Sequence, residues 1–203
     1  IKTRKMIDFL NLSQETPYLI LKKKYDDALC ANQKNIEAVS ISSYSNKLKE
    51  VNSRFVNLKF IDNNDFIFFS NYDSPKSQEF KDHHQITCLI YWNSINTQIR
   101  IKAVIKKTSL EFNKNYFIHR LEKKNALAIS SNQSVAIDSF KRVIENYSKS
   151  LEFDNLKECP DYWGGYSFKP YYFEFWEGHE SRLNKRDSYH INNSEWHHSI
   201  LQP

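Results

Sequence analysis

Apolar and polar positions alternate in several short stretches of this chain, and the alternation predicts β-strands that pair as hairpins. Residues 54–61 alternate and are rich in Phe, Val and Leu, and residues 66–70 follow after the turn sequence at 62–65. Two such runs joined by a tight polar turn are typical of a β-hairpin. Further strands are predicted at 39–42, 87–92, 98–107, 166–170, 172–176, 182–191 and 195–201.

Helical signals lie between these strands. A proline at the first helical position predicts helices over residues 16–30 and 74–81. The capping box Thr-Ser-Leu-Glu predicts a helix from residue 109 to residue 120 or beyond. A serine at position 134 predicts the cap of a further helix that ends near residue 147.

Hairpins with helices inserted between them predict an α+β fold built on an antiparallel β-barrel that is surrounded by helices. The 203 residues suffice for one domain with a sizeable core, and neither a repeat nor a low-complexity linker divides them. We therefore predict a single domain over residues 1–203. Residues 1–15 are mixed and aperiodic, as a flexible N-terminal arm would be.

Composition narrows the class of protein. The formal net charge of +5 fits either a mildly basic protein or a site where Arg and Lys bind anions, and no motif indicates a nucleic-acid partner. Three cysteines without CxxC spacing indicate free thiols in a reducing compartment, and hence a cytoplasmic protein. The adjacent histidine pairs would point to opposite faces of a strand, so we expect no metal site. No apolar run approaches the ~18 residues of a membrane span.

Tyr116, Arg120 and Lys124 form the first candidate site. They are four residues apart and would share one face of a continuing helix. A phenol, a guanidinium and an ammonium together make a good phosphate receptor. A solvated basic helix face is the alternative.

Arg182, Asn184 and Arg186 form the second candidate site. They alternate on a predicted strand and would face the same side, with Trp176 just upstream. Two cations flanking an amide beside an indole suit an aromatic, anionic ligand. An exposed polar strand face is the alternative.

Two further features concern the backbone. Arg54 and Lys59 are separated by an odd number of residues, so on a regular strand they face opposite sides. Either a bulge or a barrel position between two ligands would reconcile them. Gly164 and Gly165 are two of only three glycines. They predict a tight turn before a strand, or a close approach of the backbone to a neighbour.

Taken together and in order, these segments resemble the pyridoxine 5'-phosphate oxidase family. The family shows a WGG turn, an EFWxG strand and an RLHxR strand, and this chain has WGGY at 163–166, EFWEG at 174–178 and RLNKR at 182–186. The terminal LQP resembles the family ending RLxP. Further matches with compatible gaps are RFVNLK at 54–59, YW at 91–92, QIRI at 98–101, YFIHR at 116–120 and QS at 133–134.

The resemblance implies a split β-barrel, usually a homodimer, with FMN bound between the subunits. It implies oxidation of pyridoxine or pyridoxamine 5'-phosphate to pyridoxal 5'-phosphate, with O2 as acceptor and H2O2 as product. The residues at cofactor-binding positions are Arg54, Lys59, Lys76, Gln98, Gln133, Ser134, Trp176 and Arg186. Those at substrate-binding positions are Lys59, Tyr116, Arg120, Lys124 and Arg182, and the catalytic positions hold Arg182 and Asn184.

The chain departs from the family pattern at several positions. Asn184 replaces a histidine and cannot titrate near neutral pH, Lys124 replaces a serine, and Pro75 replaces an arginine of the FMN phosphate loop. Leu121 replaces a proline, which predicts that the helix before it continues. Two alternatives therefore stay open. One is a related flavin oxidase with a different substrate, of the phenazine-pathway type, and the other is a non-catalytic protein that binds flavin or pyridoxal phosphate.

Overall fold

The computed structural model describes residues 6–203. The helices in this part of the chain are α1 (Thr16–Cys30), α2 (Pro75–Asp82), α3 (Leu110–Ile118), α4 (Glu122–Ser130) and α5 (Phe140–Phe153). The strands are β1 (Asp8–Leu10), β2 (Ala38–Ser45), β3 (Glu50–Asp62), β4 (Asp65–Asn71), β5 (Gln85–Trp92), β6 (Thr97–Lys107), β7 (Trp163–Glu177), β8 (Lys185–Asn192) and β9 (Glu195–Ile200).

Six of the strands close into a barrel. The hydrogen-bonded neighbours run β3–β2–β5–β6–β7–β4 and return to β3, and every pair in this circuit is antiparallel. Strands β8 and β9 extend the sheet outward from β7. The predicted α+β class and antiparallel barrel are confirmed.

The barrel interior follows from the alternation along each strand. On β6, Ile99, Ile101, Ala103 and Ile105 are each at most 1% exposed, while Arg100, Lys102 and Val104, which alternate with them, are partly or fully exposed. Burying one such side chain contributes roughly 1.5–3 kcal/mol. Helix α1 packs Tyr18 against the barrel, where its ring meets Phe173 edge-on at 5.2 Å.

The N-terminal arm and the tail strands differ from the prediction. Within the predicted flexible arm, residues 8–10 form β1 and pair in parallel with β3, whereas residues 1–5 lie outside the described residues. The strands predicted at 166–170 and 172–176 are one strand, β7. Its register against β6 shifts at Tyr171, so a bulge rather than a chain break accommodates the region of Pro170.

Two helix predictions were wrong at their boundaries. The helix that begins after Ser109 ends at Ile118, because Leu121 adopts an extended conformation with φ −60° and ψ 129° and starts α4 instead. Ser134 caps no helix, since its φ of 70° lies in the left-handed region. The cap of α5 is Ser139, whose side chain accepts a hydrogen bond from the Arg142 backbone N–H.

The glycine pair lies inside β7, so the predicted tight turn is wrong. Neither glycine has a positive φ. Close packing explains the pair, because a Cβ on Gly165 would meet Thr108 Oγ1 at 2.5 Å. Separately, no helix within residues 6–203 has the length and apolar character to span a bilayer.

Candidate functional site

A cavity of about 500 Å³ opens between β3, β4 and the helices α2, α3 and α4. We call it the basic pocket. Its lining residues are Phe55, Val56, Asn57, Lys59, Phe69, Ser70, Lys76, Tyr116, His119, Arg120, Leu121, Lys124 and Gln133. No acidic residue is in this set, so the charged side chains that line the cavity are all basic. Six of the predicted site residues are among the lining residues.

A strand bulge brings Lys59 to the pocket. The register between β3 and β4 shifts between Leu58 and Phe60, which makes Lys59 the extra residue. Phe55, Val56 and Asn57 line the same pocket as Lys59, so both faces of the strand contribute to it. Of the two explanations for the odd spacing of Arg54 and Lys59, the bulge is present.

One end of the pocket is built around Lys76 in the first turn of α2. Its Nζ donates to Gln133 Oε1 at 2.7 Å, Ser74 Oγ at 3.1 Å and Ser70 Oγ at 3.2 Å. Burial lowers the pKa of Lys76 to about 8; the nearby charge of Arg54 adds to this effect, and Glu79 opposes it. A half-buried ammonium with neutral hydrogen-bond partners favours an incoming anion.

Arg54 lies beside this end, held by a buried carboxylate. Its Nη2 donates to Glu79 Oε2 at 2.9 Å, and its Nη1 donates to Ser43 Oγ at 2.6 Å. Glu79 also accepts from Asn52 at 2.9 Å and is only 5% exposed. The position of the Arg54 guanidinium is thus fixed by β2, β3 and α2 together.

Aromatic stacking builds the other end of the pocket. The rings of Tyr116 and Phe69 are nearly parallel with centroids 3.8 Å apart, and the Trp163 ring is nearly parallel to both, with its centroid 5.1 Å from that of Phe69 and 6.3 Å from that of Tyr116. The Arg120 guanidinium lies 4.4 Å from the Trp163 ring centroid. Its Nη1 donates to Asn125 Oδ1 at 3.0 Å.

Tyr116, Arg120 and Lys124 do meet in the pocket, but not on one helix. Tyr116 lies in the last turn of α3, Lys124 in the first turn of α4, and Arg120 in the break between them. The three residues line one cavity, but the shared face of one continuing helix that was predicted for them is wrong. The break at Leu121 turns the chain around the mouth of the pocket.

A second set of predicted residues lies elsewhere, and we call it the far-end cluster: Gln98, Trp176, Arg182, Asn184 and Arg186. Trp176 on β7 pairs with Gln98 on β6 and with Arg186 on β8. Arg182 and Asn184 lie in the turn between β7 and β8.

The two sets occupy opposite ends of the barrel wall. Lys107 on β6 pairs with Tyr166, beside the Gly165–Phe69 pair at the basic pocket. The nine residue-to-residue steps from Gln98 to Lys107 span roughly 30 Å of strand. Within one chain, the far-end cluster and the basic pocket therefore lie far apart.

Arg186 has a carboxylate partner within the chain. Its Nε and Nη2 donate to Glu174 Oε1 at 3.0 and 2.7 Å, and its Nη1 donates to the Gln202 carbonyl at 2.8 Å. Burial raises the pKa of Glu174, but hydrogen bonds from Arg186 and Tyr172 and the charge of Arg100 bring it below its usual value. Arg186 is thus both a candidate ligand contact and a counterion.

The prediction that Arg182, Asn184 and Arg186 share one strand face was wrong. Strand β8 begins only at Lys185, and Arg182 has a left-handed φ of 61°. Asn184 Oδ1 accepts the His179 backbone N–H at 3.0 Å, which closes the turn. The turn leaves Arg182 exposed next to the end of β7.

Ser134 also falls outside the basic pocket, and lines a separate cavity beside α4 and α5. Several residues that the sequence reasoning missed contribute to the site: Ser70, Phe69, Glu79, Asn125 and Trp163. Three of them had a signal in the sequence: the strand pattern of 66–70 for Phe69 and Ser70, and the WGG motif for Trp163. Glu79 and Asn125 had no signal, because their partners are distant in sequence or across a helix break.

The fold and the pocket define a split-barrel protein with a cavity lined by basic side chains. Among solved structures, PhzG from Burkholderia lata in complex with tetrahydrophenazine-1-carboxylic acid matches with a TM-score of 0.87 and 23% identity, covering 93% of each chain. A pyridoxamine 5'-phosphate oxidase-related, FMN binding protein from Nostoc punctiforme matches with a TM-score of 0.73 and 13% identity, covering 90% of this chain and 97% of that one. At these identities the likeness concerns the fold.

The family follows from closer relatives. The family model described as the pyridoxine 5'-phosphate oxidase C-terminal dimerisation region matches residues 163–203. The chain is 32% identical to the pyridoxine/pyridoxamine 5'-phosphate oxidase of Colwellia psychrerythraea, over 94% of this chain and 88% of that protein. It is 34% identical to pyridoxine/pyridoxamine 5'-phosphate oxidase 1 of Hydrogenovibrio crunogenus, over 94% and 89%. The chain belongs to the pyridoxine/pyridoxamine 5'-phosphate oxidase family.

Proposed function

We propose that this protein binds FMN and oxidises pyridoxine or pyridoxamine 5'-phosphate to pyridoxal 5'-phosphate, with O2 as acceptor and H2O2 as product. The observation that carries the proposal is the basic pocket, where Lys59, Lys76, Arg120 and Lys124 line one cavity of about 500 Å³ without a carboxylate. Such a cavity suits phosphate-bearing ligands. Membership of a family whose relatives are named as oxidases supports the same reaction.

The Lys76 end fits the phosphate of FMN. Lys76, Ser70 and Gln133 offer a cluster of polar groups there, and Arg54 adds a second cation beside them. An incoming phosphate would favour the charged form of Lys76, whose pKa is lowered to about 8 by burial. The Arg54–Glu79 pair keeps the guanidinium in place before the ligand arrives.

The Arg120 end fits the phosphate of the substrate. Arg120 supplies a planar fork of donors, Tyr116 a phenol hydroxyl, and Lys124 a mobile ammonium. Lys59 lines the pocket between the two ends and would contact both ligands. If the FMN phosphate and the substrate phosphate bind at the two ends of one cavity, the flavin ring and the substrate ring would lie side by side.

A second copy of the chain would complete the site with its far-end cluster. Roughly 30 Å of strand separates that cluster from the basic pocket, so a single chain cannot bring them to one ligand. Trp176, Arg182, Asn184 and Arg186 all fall within the matched dimerisation region. A two-fold homodimer would hold two such composite sites.

When bound, FMN would supply the redox chemistry: it would take a hydride from C4′ of the substrate as the C4′ hydroxyl or amine loses a proton, and O2 would take up the two electrons and two protons to give H2O2. For the amine substrate, water would then release ammonia to give the aldehyde. The chain's residues bind and orient the ligands. Arg182 would lie against the substrate ring. Asn184 offers only hydrogen bonds, because an amide does not titrate near neutral pH.

A second candidate is a related flavin oxidase whose substrate is a reduced ring with another anionic group. Lys124 in the pocket is compatible with this candidate, because a mobile ammonium binds a carboxylate as readily as a phosphate. The non-catalytic alternative has less support, since the similar relatives are named as oxidases.

The test is turnover of pyridoxine 5'-phosphate by protein saturated with FMN. We expect pyridoxal 5'-phosphate and H2O2 in equal amounts, and far less product from pyridoxine, which lacks the phosphate. Oxidation of a reduced ring carboxylate with no turnover of the phosphate ester would favour the second candidate. Binding of FMN without turnover of either would overturn the proposed reaction.

A further inference from the structure

The arginines near the candidate sites differ in what holds them. The guanidinium of Arg54 lies 2.9 Å from a Glu79 carboxylate oxygen, and that of Arg186 lies 2.7 Å from Glu174. A carboxylate at this distance fixes an arginine, but it also cancels much of the arginine's attraction for a further anion.

Arg120 is held by neutral groups instead. Its Nη1 donates to Asn125 Oδ1 at 3.0 Å, and its guanidinium lies 4.4 Å from the Trp163 ring centroid. Within residues 6–203 no salt bridge involves Arg120. Burial lowers its pKa, yet arginine keeps its charge at any physiological pH.

The orientation of the Asn125 amide is determined by its other contacts. Its Nδ2 donates to the Phe117 carbonyl at 2.9 Å and to the Leu156 carbonyl at 2.8 Å, which uses both N–H groups. Only the amide oxygen is left to face Arg120. Asn125 is 1% exposed, so water does not compete for these bonds.

We infer that Asn125 is a positioning residue that fixes the Arg120 guanidinium while leaving its positive charge available to the phosphate of the substrate. The inference rests on the proposed role of Arg120. An amide oxygen supplies one directed hydrogen bond without a negative charge, and the indole face supports the flat guanidinium. The arginine then obtains its counterion only from the ligand.

Two substitutions separate charge from geometry. Asn125→Asp and Asn125→Ser both remove the N–H donors to Phe117 and Leu156, but only the aspartate adds a negative charge beside Arg120. Binding of inorganic phosphate to FMN-saturated protein is measured by titration calorimetry at several salt concentrations. We expect Asn125→Asp to bind phosphate at least about tenfold more weakly than Asn125→Ser, with a flatter salt dependence.

Arg120→Gln distinguishes the inference from the proposed function. If Arg120→Gln binds phosphate as the wild type does, the assigned role of Arg120 fails, and the inference falls with it. If Arg120→Gln loses binding while the two Asn125 variants weaken it equally and with equal salt dependence, the role of Arg120 stands and the inference is overturned.

A second pair of variants tests the inference if the Asn125→Asp variant does not fold. Cys159 is half-buried and lies close enough to Arg120 to affect its pKa. Cys159→Asp brings a carboxylate near Arg120 without touching Asn125, and Cys159→Ser is its neutral control. Weaker phosphate binding by the aspartate variant alone supports the inference, and equal binding by both contradicts it.

Discussion

Burial gives individual residues of the basic pocket their chemical properties. Lys76 has a pKa lowered to about 8, because its ammonium is removed from water and lies near Arg54. Below pH 8 the lysine is protonated in both folded and unfolded protein. Between pH 8 and its ordinary value of 10.5 only the unfolded chain keeps the proton, so the free energy of unfolding of the ligand-free protein rises with pH in this range.

The lowered pKa of Lys76 predicts a pH-dependent affinity for FMN. As the pH rises through about 8, ligand-free protein loses the Lys76 charge, and FMN affinity should fall by at most about tenfold per pH unit. Fluorescence titration of FMN between roughly pH 7 and 9 measures the slope. Lys76→Gln should bind FMN more weakly throughout and lack this slope. An equal slope in the variant would assign the titration to another group.

At the scale of single residues, the sequence predicted some residues of the site and missed others. Lys76, Arg120 and Lys124 were found because cations in a family motif carry a recognisable chemistry. Glu79 and Asn125 were missed, because a carboxylate or an amide on a helix has no special pattern until its partner is known. Their partners, Arg54 and Arg120, are brought to them by the fold.

Irregular elements shape the pocket. The bulge at Lys59 redirects a side chain, and the break at Leu121 divides one predicted helix into α3 and α4. Strand β7 passes so close to its neighbours that Gly165 has no room for a side chain. These features arise where regular elements meet, so local periodicity does not reveal them.

Gly165→Ala should disturb the aromatic end of the pocket. The added Cβ would meet Thr108 Oγ1 at 2.5 Å and Phe69 Cε1 at 3.2 Å, and Phe69 stacks on Tyr116. We expect a loss of about 1–3 kcal/mol in the free energy of unfolding, measured with urea, and a raised KM for the phosphate substrate.

Gly178→Ala is the matched control. There the added Cβ would meet only the side chain of Asn96, which is exposed and can move aside. Its stability and KM should stay close to those of the wild type. A similar loss in both variants would indicate that the added methyl group acts through the backbone in general rather than through Phe69.

At the scale of the whole molecule, the separation of the basic pocket from the far-end cluster determines what one chain can do. The pocket would offer the proposed phosphate contacts, and the far-end cluster has Trp176, Arg182 and Arg186 at the other end of the barrel wall. The proposed site composed from two chains would bring them together, which is consistent with the dimerisation region matched at residues 163–203.

Mixed dimers test this composite site. Arg120→Ala and Arg182→Ala should each be nearly inactive alone. If each site takes Arg120 from one subunit and Arg182 from the other, co-expression of the two variants should restore roughly a quarter of wild-type activity, because half of the dimers regain one intact site of two. Activity no higher than that of the single variants would place both arginines in a site from one chain.

The sequence by itself determined the paired strands, most helix starts and the cationic residues of the candidate site. These follow from period-2 alternation, from proline and serine at helix starts, and from motif order, all of which are local or nearly local signals. The odd separation of Arg54 and Lys59 left a bulge as one of two explanations, and only the strand register showed that the bulge is present.

Only the tertiary structure decided which of these residues meet. It closed the barrel, broke the helix at Leu121, moved Arg182 from a strand to a turn, and gave Arg54 and Arg186 carboxylate partners while Arg120 received an amide. Contacts between residues far apart in the chain depend on how whole elements pack. The charge that each arginine can offer a ligand is therefore set by the fold rather than by its sequence neighbours.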